Sequence, residues 1–88
     1  MIKTNDIKKG SKIVTKQLGI PCPGIMEDNK KGNTRLIKTL GSQVGMFDEY
    51  GSVYAWDIIE AQDQNGEWHY IELTDKQKQS KAEIGGLL

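Results

Sequence analysis

A chain of 88 residues forms one domain with a small core, burying roughly 60–65% of its unfolded surface, and leaves little room for an enclosed catalytic cavity. Twelve Lys and Arg balance twelve Asp and Glu, so no overall basic field draws the chain to nucleic acid or to an anionic membrane. One cysteine and one histidine exclude an internal disulfide framework and an ordinary Cys/His zinc site, which fits a reducing cytoplasm.

The opening "MIKTNDIKKG" lacks the apolar core of a signal peptide, and no run approaches the ~20 apolar residues of a membrane span. A soluble, cytoplasmic protein with no membrane attachment is expected. Glycine then recurs between short runs rich in Val, Ile, Tyr and Trp, the punctuation of a small all-β protein. A strand is predicted in "SKIVTKQL", followed by a loop "GIPCPG" whose prolines stiffen the backbone and remove donors. Strands in "GIMED" and "TRLIKTL" flank the connection "NKKGN", where Asn29, Gly32 and Asn33 tolerate positive φ. Beyond "GSQVGM", a possible short strand, a long strand is expected over "SVYAWDIIEAQD". The turn "QNG" then leads into the strand "EWHYIEL".

From Thr74 the chain turns polar; Thr74 can cap and Asp75 favours a helix N-terminus. The predicted organisation is therefore a β-barrel domain over residues 1–74, and a polar helical turn with a flexible tail over 75–88. Ile84, Leu87 and Leu88 are candidates to dock on a barrel end or another subunit. Five or six short antiparallel strands in so short a chain are expected to curl into an SH3-like barrel, which removes most free edges. An OB-like barrel is the second choice, because no helix is predicted between the middle strands.

The last hairpin sets the candidate surface. With "QNG" as a three-residue loop and Gly66 in the left-handed position, Asp63 closes on Glu67, Ile59 faces Ile71 and Ala61 faces His69. Val53, Ala55, Ile59, Ala61, Ile71 and Leu73 then share one side, while Tyr54, Trp56, Ile58, Trp68 and Tyr70 share the other. The aliphatic side suits a tight interior. The aromatic side has three readings: a second core layer, a subunit interface, or a platform on which Tyr54, Trp56, Trp68 and Tyr70 receive a peptide or stacked bases.

Among charged groups, Lys30, Lys31 and Arg35 gather on the "DNKKGNTR" hairpin and form a candidate anion-binding loop, with Asp28 neutralising part of the charge. The register turns Asp57 inward, where a carboxylate must be hydrogen-bonded or paired; loop N–H groups or Arg35 are the expected partners. His69 reads as a packed or edge residue and Cys22 as an accessible loop thiol without a C-x-x-C partner. No P-loop, Rossmann fingerprint, nucleophile elbow or zinc-protease motif occurs, so no cofactor, no metal and no catalytic residue is expected.

Two blocks, Asp28, Asn29, Lys31, Gly32, Asn33 and Arg35 in "EDNKKGNTR", and Gly51, Ser52, Val53, Tyr54, Asp57 and Ile58 in "GSVYAWDI", resemble short uncharacterised proteins of marine tailed bacteriophages, especially those infecting cyanobacteria. The likeness spans roughly residues 10 to 60 and implies expression in the cytoplasm of an infected cell, with no activity attached. "GSKIVTK" followed by "GIMED" is also similar to the KOW type of SH3-like barrel, which implies a module that contacts RNA or proteins. The combined expectation is a non-enzymatic phage accessory domain that engages a host or phage protein. A single-stranded nucleic-acid binder and a structural homo-oligomer are the alternatives.

Overall fold

The computed structural model describes residues 1–17, 19–29 and 32–85; Leu18, Lys30, Lys31 and residues 86–88 lie outside the description, as do the side chains of Gln17, Gln43 and Val44. The strands are β1 (Ile2–Lys3), β2 (Lys12–Gln17), β3 (Ile20–Asp28), β4 (Thr34–Thr39), β5 (Glu49–Tyr54), β6 (Ile58–Gln62) and β7 (Trp68–Glu72), followed by helix α1 (Asp75–Gly85). They form one seven-stranded sheet in the order β1-β7-β6-β2-β3-β4-β5. Every pairing is antiparallel except that of β1 with β7. The all-β expectation holds. The sheet, however, is not closed by strand pairing: β1 and β5 remain its edges.

Three local expectations change. The proline-rich "GIPCPG" lies largely within β3 rather than in a loop. Pro23 O accepts the N–H of Leu40 at 2.9 Å, so the nitrogens of Pro21 and Pro23 point toward the β4 side, beyond the first β3–β4 pair at Gly24 and Thr39. The one bond forgone is the reciprocal bond of Pro23 to Leu40, just past the last residue of β4, and the end of a ladder is where a strand tolerates proline. The segment around "GSQV" forms a 3-10 turn, Gly41–Val44. The long strand expected over 52–63 is cut by another 3-10 turn, Ala55–Asp57, the third after Thr4–Asp6 and Gly41–Val44, in which Ala55 and Trp56 are buried. Ala55 N–H donates to Asn33 O at 2.8 Å.

That turn, together with a register shift opposite β2 between Val14 and Thr15, resets which residues face inward. Ile58 and Ala61 both enter the core with Ile7, Ile13, Met26 and Ile37, while Ile2, Val53 and Ile71 pack against them. The β6–β7 hairpin keeps the predicted register: Ala61 pairs with His69, Asp63 N–H donates to Glu67 O at 2.8 Å, and Gly66 has φ 85°. Helix α1 is longer than the one or two turns expected. Thr74 and Gln77 form a reciprocal capping box, with Gln77 N–H on Thr74 Oγ1 at 3.1 Å and Thr74 N–H on Gln77 Oε1 at 2.9 Å. The helix packs on the Ala55–Asp57 turn.

The sheet is held curled by side chains. Arg35, on the inward face of β4, is 2% exposed. Its Nε donates to Asn29 Oδ1, its Nη1 to the carbonyls of Gly32 (2.7 Å) and Thr34 (2.9 Å), and its Nη2 to Asn5 Oδ1 (2.8 Å). Asn29 Nδ2 in turn donates to the carbonyls of Thr4 (2.8 Å) and Ile7 (2.9 Å). The segment after edge strand β1 is thereby tied to the β3–β4 hairpin. Desolvation lowers the Arg35 pKa from its ordinary value, and neutral amide and carbonyl oxygens supply these partners. Arg35 is therefore withdrawn from the surface anion contact expected of it, because its donors are spent inside. It also does not form the expected pair with Asp57 among these bonds.

Removing Asn29 leaves an arginine donor and two carbonyls unpaired in a half-buried place. Asn29→Ala is expected to lower unfolding free energy by about 2–4 kcal/mol in urea denaturation. Thr4 behaves oppositely: it is fully buried and its hydroxyl has no hydrogen-bond partner among the described residues. Thr4→Val is expected to raise stability by about 1 kcal/mol in the same assay.

Candidate functional site

The four aromatic residues singled out in the sequence do not form one platform. Trp56 is 8% exposed and stacks on Tyr54, with ring centroids 4.8 Å apart and planes at 7°. Of the three readings of the aromatic side, Trp56 follows the second core layer and not the open platform: it is buried apart from the main core cluster, with Tyr54 stacked on it and helix α1 packed on its turn. Trp68 and Tyr70 on β7 do point outward, 45% and 67% exposed. Opposite them on β6 lie Gln62 and Glu60. The Tyr54–Trp56 pair is the one aromatic stack among the described residues.

A more continuous apolar surface lies elsewhere. Registers place Cys22 beside Thr15, Thr39 beside Gly24 and Glu49, and Gly51 beside Ile37. These residues continue the inward face of β3, β4 and β5 past the end of the core. There the curled sheet forms a solvent-open trough of about 730 Å³, with Ile20, Cys22, Ile37, Met46, Phe47 and Val53 in its lining. Phe47 is 87% exposed, and Ile20 and Met46 are exposed beside it. Two adjacent apolar residues left bare on a loop stand out against the ordinary scatter of surface apolar groups.

The loop carrying them is built to hold a shape. Met46 N–H donates to Gly41 O at 2.7 Å, and Gly45 adopts φ 81°. A Cβ on Gly41 would come within 2.2 Å of Phe47 O, so this close approach requires glycine. Asp48 Oδ1 accepts the N–H of Ser42 at 3.0 Å and its Oγ–H at 2.8 Å, which holds the Asp48 carboxyl below its ordinary pKa. Cys22, expected in an accessible loop, is half-buried in the trough wall and directs its Sγ to Pro23 O at 3.6 Å.

The charged candidates are dispersed. Lys30 and Lys31 lie outside the described residues. Asp28 ends β3, half-buried, at a register shift opposite Leu36. Asp57 sits in the Ala55–Asp57 turn, where desolvation raises its pKa while Lys81 of α1 and the Tyr54 N–H oppose the rise. The groups that favour its charged form are thus Lys81 and the Tyr54 N–H at the end of β5, and Arg35 is not among them.

His69, read as an isolated side chain, has a partner: its Nε2 lies 2.7 Å from Asp63 Oδ2. Asp63 Oδ1 also accepts the N–H groups of Asn65 (2.8 Å) and Glu67 (2.9 Å). His69 first, then the Glu67 N–H, lowers the Asp63 pKa. Asp63, Glu67 and His69 bring three potential metal-ligating atoms within 4.8 Å of one another. The Asp63 carboxylate is already engaged on both oxygens, so the arrangement works as a lock on the hairpin turn. An Asp six residues before a His across an Asn-Gly turn was the readable sign.

Comparison with protein-family models, with curated proteins and with solved structures returned no match to this chain. Among the described residues no helix is long and apolar enough to cross a membrane.

The two shifted carboxylates have opposite consequences. A raised folded pKa means that the folded state binds protons more tightly, so ionised Asp57 opposes folding as pH rises through the carboxylate range. Asp57→Asn is expected to raise the melting temperature at neutral pH, with the gain disappearing in acid. The lowered pKa of Asp63 contributes stability above the usual carboxylate range, lost as pH falls through the folded value. Asp63→Asn should lower the neutral melting temperature and leave the acid limb unchanged.

Proposed function

We propose that the chain is a non-catalytic protein-binding module and that its recognition surface is the trough between β3, β5 and the loop over residues 45–48. The observation that carries this reading is the bare pair Met46 and Phe47, held by Gly41 and Asp48 over an apolar floor that continues the core. A preformed apolar concavity with an exposed aromatic on its rim matches the general anatomy of peptide and ligand sites. An apolar segment of another protein is the occupant favoured by its open, mostly apolar lining. The resemblance to short phage proteins points to a host or phage protein in an infected cell as that partner.

An SH3-like architecture belongs to the same proposal. It is supported by the meander β2-β3-β4-β5, followed by one 3-10 turn and a strand, β6, that returns antiparallel to β2. Single-stranded nucleic acid is the second reading, favoured by the exposed rings of Trp68 and Tyr70. It is weakened by the burial of Trp56 and Arg35.

A photo-crosslinking residue at Phe47 in lysate of the producing cell is expected to give a discrete protein adduct. The same probe at Tyr70 should not, and Ile20→Asp should abolish the adduct. For the partner so identified, Phe47→Ser is expected to weaken binding at least about tenfold, the loss of one buried aromatic anchor. Equal labelling from both positions contradicts the trough. Binding of an oligonucleotide that falls steeply with salt favours the second reading.

A further inference from the structure

The two edges of the sheet differ in a way the trough does not explain. Edge strand β1 is two residues long and carries Lys3, whose Nζ lies 3.1 Å from Glu72. Short length and an edge lysine are the usual guards against strand addition. Edge strand β5 has neither. It runs six residues in unbroken register with β4, from Thr39 opposite Glu49 to Thr34 opposite Tyr54. Beyond Glu49 it contains no charge and no proline.

Which main-chain groups face outward follows from the ladder. The N–H and C=O of Glu49 both meet Thr39 Oγ1, and Ala55 N–H meets Asn33 O, so odd-numbered residues turn to β4. In an antiparallel ladder the alternate residues turn the other way. Tyr50, Ser52 and Tyr54 therefore present their N–H and C=O groups to the free edge, with the Tyr54 N–H drawn toward Asp57.

We propose that a second copy of this chain pairs on β5, antiparallel, about a two-fold axis at Ser52. A two-fold axis perpendicular to the sheet keeps both inward faces on the same side and makes the interface isologous. Ser52 then exchanges hydrogen bonds with its mate, and Tyr50 lies opposite Tyr54 of the second copy on the outer face. On the inner face Gly51 lies opposite Val53, and the space beside Gly51 is open: a Cβ built there meets nothing within 4 Å. Aromatic pairs across strands are favourable, and no like charges meet. The two troughs become continuous across the axis.

One strand pair with two tyrosines per protomer covers less than the ~800 Å² per partner of a standard interface, so the dimer is weak and concentration-dependent. It does not rest on the identity of any trough ligand.

Sedimentation of the full chain from low micromolar to near-millimolar concentration is the test. Wild type is expected to shift from monomer to dimer. Ser52→Lys, which sets two lysines against each other at the axis, should raise the dissociation constant at least about tenfold with unchanged circular dichroism and melting. Ser52→Thr should leave dimerisation intact. In wild type, exchange of the Ser52 amide should slow as concentration rises, while the Gly51 and Val53 amides stay equally protected throughout. A monomer at every concentration, a Ser52→Lys variant that associates as tightly as wild type, or a Ser52 amide insensitive to concentration overturns the proposal.

Discussion

The structure depends on a buried arginine that has been given neutral partners. Strand pairing alone makes β1 through β5 an open ribbon. The Arg35 guanidinium, Asn29 and Asn5 turn that ribbon into a container by joining the segment behind one edge to the hairpin near the other. A guanidinium suits this task because its fixed fork can reach several acceptors in different directions at once. Its burial is tolerated because those acceptors replace water.

What the clasp positions is asymmetry. At its end of the sheet the inward face is filled by Ile7, Ile13, Met26, Ile37 and Ile58. At the far end no comparable tie exists among the described residues, and the same face opens into the trough under Phe47. The β1 edge is short and charged, while the β5 edge is long and, beyond Glu49, uncharged. The buried core and the clasp lie at the closed end and the proposed recognition surfaces at the open end, a division common where rigid scaffolds present binding loops.

The legible parts of the fold were those decided by local chemistry. Asn-Gly with Gly66 at positive φ determined the last hairpin to the residue, and Thr74 announced the helix. The misread parts were those where a long-range contact overrides a local pattern. The alternation of "SVYAWDII" continues unbroken through a 3-10 turn that only the fold reveals, so Ile58, which enters the core, was assigned to the wrong face. Pro21 and Pro23 signalled a loop, yet their missing donors fall past the end of the β3–β4 ladder, where the strand tolerates them. Arg35 looked like a surface cation because its satisfying groups, Asn5 and Asn29, lie 30 and 6 residues away. The trough was harder still: Met46 and Phe47 between Gly45 and Asp48 were a visible apolar pair in a turn, yet nothing local says that a concavity lies beneath them.

The central claim is that the clasp joins two distant segments into one cooperative unit. Native-state hydrogen exchange in Asn5→Ala tests it most directly, since the substitution touches only the N-terminal side. The account predicts that amides of the Thr4–Asp6 turn and of β4 around Arg35 and Ile37 lose protection together and by similar factors. Loss confined to the N-terminal segment, with β4 protected as in wild type, would contradict it.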